Sequence, residues 1–202
     1  MGIWKRLILI FIVLNIVAIG VAIMLDCGLG PDTTTLFCDG IFRHVTVSIG
    51  TVVLIYNVII ILIAFVFAKE NLGFGTIFYA LLIGHFIDFY QIILSPLHIE
   101  NLNFSGRFLG YIVGISFYSF GLMLLIQLNL GMNALDASIV KASEKIGIPY
   151  MYIRIFMDFV FVVTGILLGA TFGIGTIIAV VFTGTFISFF GGLVDWKKLL
   201  HI

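Results

Sequence analysis

Gly73-Phe74-Gly75-Thr76-Ile77 recurs one hundred residues later as Gly173-Ile174-Gly175-Thr176-Ile177, and Gly84, Phe86, Ile87 and Phe89 recur as Gly184, Phe186, Ile187 and Phe189. Eight of the eighteen positions from 73 to 90 are identical at this offset. An apolar composition produces chance matches of Leu and Ile, but matched glycines carry more weight. Upstream, Gly20 and Leu29-Gly30 match Gly121 and Leu130-Gly131 at an offset of 101, so one residue was gained or lost between the two blocks. The chain is therefore a duplicated unit, with repeat 1 over about 5–98 and repeat 2 over about 106–195.

The composition supplies the solvent. Of 202 residues, 62% are hydrophobic and 10% are charged, against roughly 45–50% and 25% in an average soluble domain. A soluble fold of this size could not hide so much apolar surface. Six segments reach the roughly 20 apolar residues that a membrane-crossing helix needs: Leu7 to Leu25, Ile49 to Phe67, Gly73 to Leu94, Phe108 to Leu128, Pro149 to Leu168 and Gly173 to Leu193. They are continuously apolar, which excludes the in-and-out alternation of a β-barrel. The first span follows Lys5 and Arg6 but lacks a small-residue cleavage site, so it is expected to stay in the mature protein as a helix. Arg6 stands where a myristoylation signal needs Ser or Thr, so no lipid anchor is expected.

Each half holds three spans, and three is odd. Two odd-span repeats joined directly sit in opposite orientations, related by a pseudo-two-fold axis in the membrane plane. The positive residues predict the same arrangement, because Lys and Arg are held on the cytoplasmic side. With both termini inside, Lys5, Arg6, Lys69, Lys141, Lys145, Arg154, Lys197 and Lys198 fall inside, and only Arg43 and Arg107 fall outside. The expected fold is an all-α polytopic bundle of six transmembrane helices in two inverted three-helix repeats. Each repeat carries a short interfacial or re-entrant helix between its first and second spans. In repeat 1 that segment runs Gly28 to Ser48, with Asp32 as a capping candidate and Pro31 beside it. In repeat 2 it runs Gly131 to Ile148, with Asn133 or Asp136 as the cap and an amphipathic face behind it.

These motifs resemble the YitT/YczE-type family of bacterial integral membrane proteins over roughly residues 5 to 192. The first-half resemblance lies in Leu29-Gly30-Pro31-Asp32 through Cys38-Asp39-Gly40, Ser48-Ile49-Gly50-Thr51, Gly73-Phe74-Gly75-Thr76 and Gly84-His85-Phe86-Ile87-Asp88. The second-half resemblance lies in Leu130-Gly131 through Asp136, Arg154 through Asp158, Gly173-Ile174-Gly175-Thr176 and Gly184. The chain departs from that pattern at Thr33, Ala134 and Thr185, where the family often carries Pro. The resemblance implies a multi-pass protein of the bacterial plasma membrane and supplies no catalytic motif.

Polar side chains within spans cost a few kcal/mol each on insertion scales, so each requires a reason. His85 and Asp88 are three apart on the third span, which suits a proton- or cation-coupling pair facing one way. Arg154 and Asp158 are four apart on the fifth span and suit an ion pair, and Asn57 holds the position of Asp158 in the first repeat. Facing the pseudo-two-fold axis, Asn57, Arg154 and Asp158 would surround a polar site near mid-membrane. The helix starts at Gly30, Asp32, Gly131 and Asp136 are a second set of candidates, because exposed N–H groups there can hold an anion. Turn and capping roles are the plainer reading of the same residues.

The charges exclude other classes. Ten Lys and Arg balance ten Asp and Glu, and no basic block attracts a nucleic-acid backbone. Cys27 and Cys38 are too few for a zinc site or a disulfide framework. No catalytic set, metal cluster or cofactor motif appears, so no enzymatic activity, metal or cofactor is expected. The expected partners are the lipid bilayer, a small solute or coupling ion, and a second copy of the chain. Inverted repeats with a few intramembrane ionisable groups point to a small-solute secondary transporter. A non-transporting membrane scaffold or regulator is the second reading.

Overall fold

A computed structural model of the chain describes residues 3–127 and 133–193. Among these residues it forms eight α-helices: α1 (Ile3–Asp26), α2 (Thr33–Phe42), α3 (Ile49–Phe67), α4 (Phe74–Leu94), α5 (Phe104–Gln127), α6 (Ala134–Ile146), α7 (Tyr150–Leu167) and α8 (Ile174–Leu193). Six of them, α1, α3, α4, α5, α7 and α8, are long and apolar enough to cross a membrane. Each lies within a few residues of the span expected from the sequence. The Leu130-Gly131 motif lies outside the described residues.

The helix termini gather at two ends. At one end, Arg107 at the start of α5 donates from Nε to Cys27 O (2.6 Å) and from Nη2 to Gly28 O (2.9 Å), just beyond α1. Gln91 of α4 donates to Asp26 of α1, and Arg43, after α2, donates to Thr171 between α7 and α8. At the opposite end, Glu70, after α3, pairs with Lys141 of α6 at 3.1 Å, and Gln127 Nε2 of α5 donates to Gly191 O of α8. Thus α1, α4 and α7 run toward the first end, while α3, α5 and α8 run away from it.

Lipid tails are as apolar as leucine, so helices in a membrane associate through close packing, and small residues permit it. The centre is the α1–α5 crossing, where a Cβ on Gly20 would strike the backbone of Gly114 and Tyr118, and one on Gly121 would strike Val17. The 101-residue offset exchanges Gly20 with Gly121 and Val17 with Tyr118, so the two contacts are one contact seen twice. The other packing partners exchange in the same way: α1–α4 with α5–α8, α2–α7 with α6–α3, and α2–α3 with α6–α7. The Gly-x-Gly-Thr block of α8 receives the Leu29-Gly30 turn of the other half. Gly175 N donates to Leu29 O at 2.8 Å, Tyr111 Oη donates to Gly175 O, and Gly30 adopts φ +95°. Only a residue without Cβ takes up that close approach comfortably.

One pair of helices breaks the correspondence. α3 and α4 pack extensively, whereas α7 and α8 make no comparable contact. Gly50 and Gly84 touch backbone to backbone, and any Cβ on either would overlap the other's carbonyl oxygen. At the offset that pairs Asn57 with Asp158, Gly50 corresponds to Met151, a bulky exposed side chain. Gly184, the counterpart of Gly84, has no heavy atom within 4 Å of its added Cβ. The first half is therefore closed where the second half is open.

Candidate functional site: a charged chamber inside the bundle

The two short helices begin near each other inside the bundle and diverge toward its opposite ends. Asp32 caps α2 in an extended conformation (φ −62°, ψ 164°) and accepts from Thr34 N at 3.2 Å and Thr35 N at 3.3 Å, with Thr35 Oγ1 donating to its other oxygen. Asn133 caps α6 by accepting from Leu135 N at 2.9 Å. Positions 32 and 133 match at the offset of 101, and the two helix N-termini reach the same region.

α7 supplies the groups between them. Arg154 donates from Nη1 to Asp136 Oδ1 in the first turn of α6, and from Nε to Asp158 Oδ2 at 3.1 Å. Tyr150 Oη also donates to Asp136, at 2.8 Å. Thr33 Oγ1 of α2 donates to Asp158 Oδ1 at 2.6 Å and so ties the two repeats together. Asp32 is 8% exposed.

These groups line two adjacent spaces. A chamber of about 60 Å³ is bounded by Asp32, Asn57, Tyr79, Tyr118, Asp136 and Arg154 among others. At a rise of about 1.5 Å per residue, Asn57 lies about 12 Å along α3, near the middle of that helix. Asp32, Tyr118, Leu122, Asn133, Asp136 and Arg154 also line a cleft of about 310 Å³, which continues past Asp158 to Tyr150, Thr183, Gly184 and Ile187. The cleft runs through the gap between α7 and α8 toward the end where Glu70 meets Lys141. At the other end, Asp88 closes the bundle by accepting from Gly50 N (2.8 Å) and Ser48 Oγ. There Asp39 also holds Thr171 N at 2.7 Å.

The structure brings some of the expected residues together and separates others. Asn57 and Arg154 share the chamber, and Arg154 and Asp158 share the cleft as an ion pair. Asp32 and Asp136 belong to the same cluster. The expected pairing of His85 with Asp88 is corrected: His85 is exposed on the outside of α4, with Nδ1 on Leu81 O, whereas Asp88 turns inward to the start of α3. Three residues along a helix rotate a side chain by about 300°, and the tight Gly50–Gly84 crossing puts that difference on opposite sides of the contact. At the helix starts expected to hold an anion, Asp32 accepts from the N–H groups of Thr34 and Thr35 in α2, and Asn133 accepts from that of Leu135 in α6. Gly30 serves the turn that docks on α8, and Gly131 lies outside the described residues.

Four contributors were not identified from the sequence. Thr33, Tyr79, Tyr118 and Tyr150 are ordinary residues in apolar or turn segments, and only the fold brings them to the cluster. Tyr118 did carry a signal, since it lies three residues before Gly121 and so on the same face as the repeated glycine.

Residues 4–192 match the model of DUF6198, described as a family of unknown function. The chain is 25% identical over 177 residues to the uncharacterized membrane protein YczE of Bacillus subtilis (strain 168), covering 87% of this chain and 80% of that one. It is 26% identical over 199 residues to an uncharacterized protein of Haemophilus influenzae, covering 98% and 88%. No solved structure matches the chain.

Proposed function

The chain belongs to the DUF6198 family and is a membrane protein of YczE type, and we propose that it is a small-solute secondary transporter rather than an enzyme. The observation that carries this reading is the chamber itself: two carboxyls and a guanidinium line an open space midway through a bundle of apolar helices, and a third carboxyl, Asp158, lines the cleft beside it. Charged groups inside a membrane are expensive, and they face one another or a path for a solute. A purely structural ion pair needs one carboxylate beside Arg154 and no cavity. A scaffold or regulator has no use for a chamber beside a cleft.

The reading includes two inverted three-helix repeats in a bacterial plasma membrane, with both termini cytoplasmic. The opposite running directions of corresponding helices and the exchange of packing partners between halves support it. So does the placement of Lys69 and Lys141 at one end and of Arg43 and Arg107 at the other. In this arrangement α2 and α6 are re-entrant helices whose N-termini face the chamber. The open α7–α8 pair and the closed α3–α4 pair are two states of one joint, so exchanging them would close the cleft and open the opposite end.

A cysteine introduced at Thr183, in a chain lacking Cys27 and Cys38, tests alternating access. A membrane-impermeant maleimide is expected to label it from the cytoplasmic face and, in a second population, from the outer face. Labelling from one face alone would refute the reading.

A further inference from the structure

We propose that the chamber binds a small primary ammonium ion, with its charged head against Asp32 and a short apolar tail in the cleft. The inference rests on the chamber being a solute site and names the class of solute.

Charge is the first argument. Asp32, Asp136 and Asp158 face the single cation Arg154, and the charged residues that line the chamber and cleft are these four. The N-termini of α2 and α6 contribute about half a positive charge each. With every carboxyl ionised, about one negative charge remains without a partner. A low-dielectric interior does not tolerate such a charge, so it is met either by a proton or by a monovalent cation. Asp136 and Asp158 are both engaged by Arg154, which leaves Asp32 as the carboxyl without a cationic partner.

The remaining hydrogen-bonding capacity is the second and independent argument. Asn57, 4% exposed, gives its Nδ2 to Val53 O at 2.8 Å, and no group among the described residues donates to its oxygen. The Asn57 oxygen is thus a free acceptor in the same chamber as the Asp32 carboxylate, which suits a donor with several N–H groups. Tyr79 and Tyr118 also line the chamber. Tyrosine rings add cation–π attraction. An anion would meet surplus negative charge, and its natural partner, Arg154, already carries two carboxylates.

Size is the third argument. About 60 Å³ holds roughly two water molecules, enough for an ammonium head. The larger cleft continues past Leu125, Ile126, Val180 and Ile187, an apolar wall for a short alkyl chain.

A proton and the ammonium ion compete for Asp32. The ionisable groups around that carboxyl are Arg154 and Asp158 on α7, Asp136 on α6, Tyr79 on α4, Tyr118 on α5 and Cys38 on α2 itself.

The test uses n-butylammonium, butyrate and n-butanol, which share a tail and differ in the head. Each is added to the full chain in detergent, and the melting temperature is followed between pH 5 and pH 8. Butylammonium alone is expected to raise it, with apparent affinity falling from pH 8 to pH 5. Asp32→Asn, which keeps the helix cap, is expected to abolish the shift, and Asp32→Glu to retain it. An equal or larger shift with butyrate or butanol, no shift with any of the three, or an undiminished shift in Asp32→Asn would overturn the proposal. Parallel flux measurements separate the two readings. Transport of anions or neutral solutes without ammonium binding overturns the ammonium site alone. Ammonium binding without any flux supports the site and removes the transporter.

Discussion

Gly84→Ala and Gly184→Ala change equivalent positions of the two repeats, yet they are expected to move stability in opposite directions. At Gly84 the new methyl lands on the Gly50 carbonyl, with Gly50 C at 3.0 Å and Leu54 N at 3.1 Å. All three atoms are backbone, so no rotamer relieves the overlap and α3 must move off α4. Overpacking of this kind costs about 1–3 kcal/mol. The movement also strains the Asp88 hydrogen bond to Gly50 N, a bond to a charged acceptor worth about 1.5–3 kcal/mol. Alanine returns roughly 0.5–1 kcal/mol of helix preference, leaving a net loss of about 2–5 kcal/mol. At Gly184 nothing lies within 4 Å, so only the helix gain of roughly 0.5–1 kcal/mol remains. For a chain of this length each kcal/mol moves the melting temperature by about 2–4 °C. Thermal denaturation of the purified chain should show Gly84→Ala lower by about 4 °C or more, and Gly184→Ala higher by about 1–4 °C. Equal losses at both positions would refute the closed and open assignment of the two helix pairs, and with it the cleft.

Thr33→Val removes the hydroxyl that donates to Asp158 at 2.6 Å and should cost about 1.5–3 kcal/mol in chemical or thermal denaturation. Tyr56→Phe should stabilise the chain by about 1 kcal/mol, because the Tyr56 hydroxyl is buried without a partner; a loss of stability would show that the hydroxyl has one.

The spans were legible because apolar length alone decides what crosses a bilayer, and each predicted span lies within a few residues of a helix. Gly20 and Gly121, singled out by their 101-residue spacing, meet the opposite helix at matched places, because glycines mark close backbone contacts. The difference between the halves was not legible. It depends on Met151 standing where repeat 1 has Gly50, a substitution that reads as one more apolar residue until α3 is placed against α4. His85 and Asp88 failed for the same reason, since spacing puts two residues on one side of a helix without saying which neighbour splits that side. Arg154 and Asp158 were recognisable as a pair through their i, i+4 spacing. Their link to Asp32 and Asp136 depends on two loops folding inward, which no local pattern encodes.

Solute flux in proteoliposomes reports transport by the chain itself. Purified chain is reconstituted, and uptake of a panel of small amines, carboxylates and neutral solutes is compared with protein-free vesicles, for the native sequence and for Asp158→Asn. The account predicts saturable uptake of at least one solute, sharply reduced by Asp158→Asn and little changed by Asp88→Asn, which keeps an acceptor for Gly50 N. Flux equal to that of empty vesicles for every compound, or the same flux in Asp158→Asn as in the native chain, would contradict it.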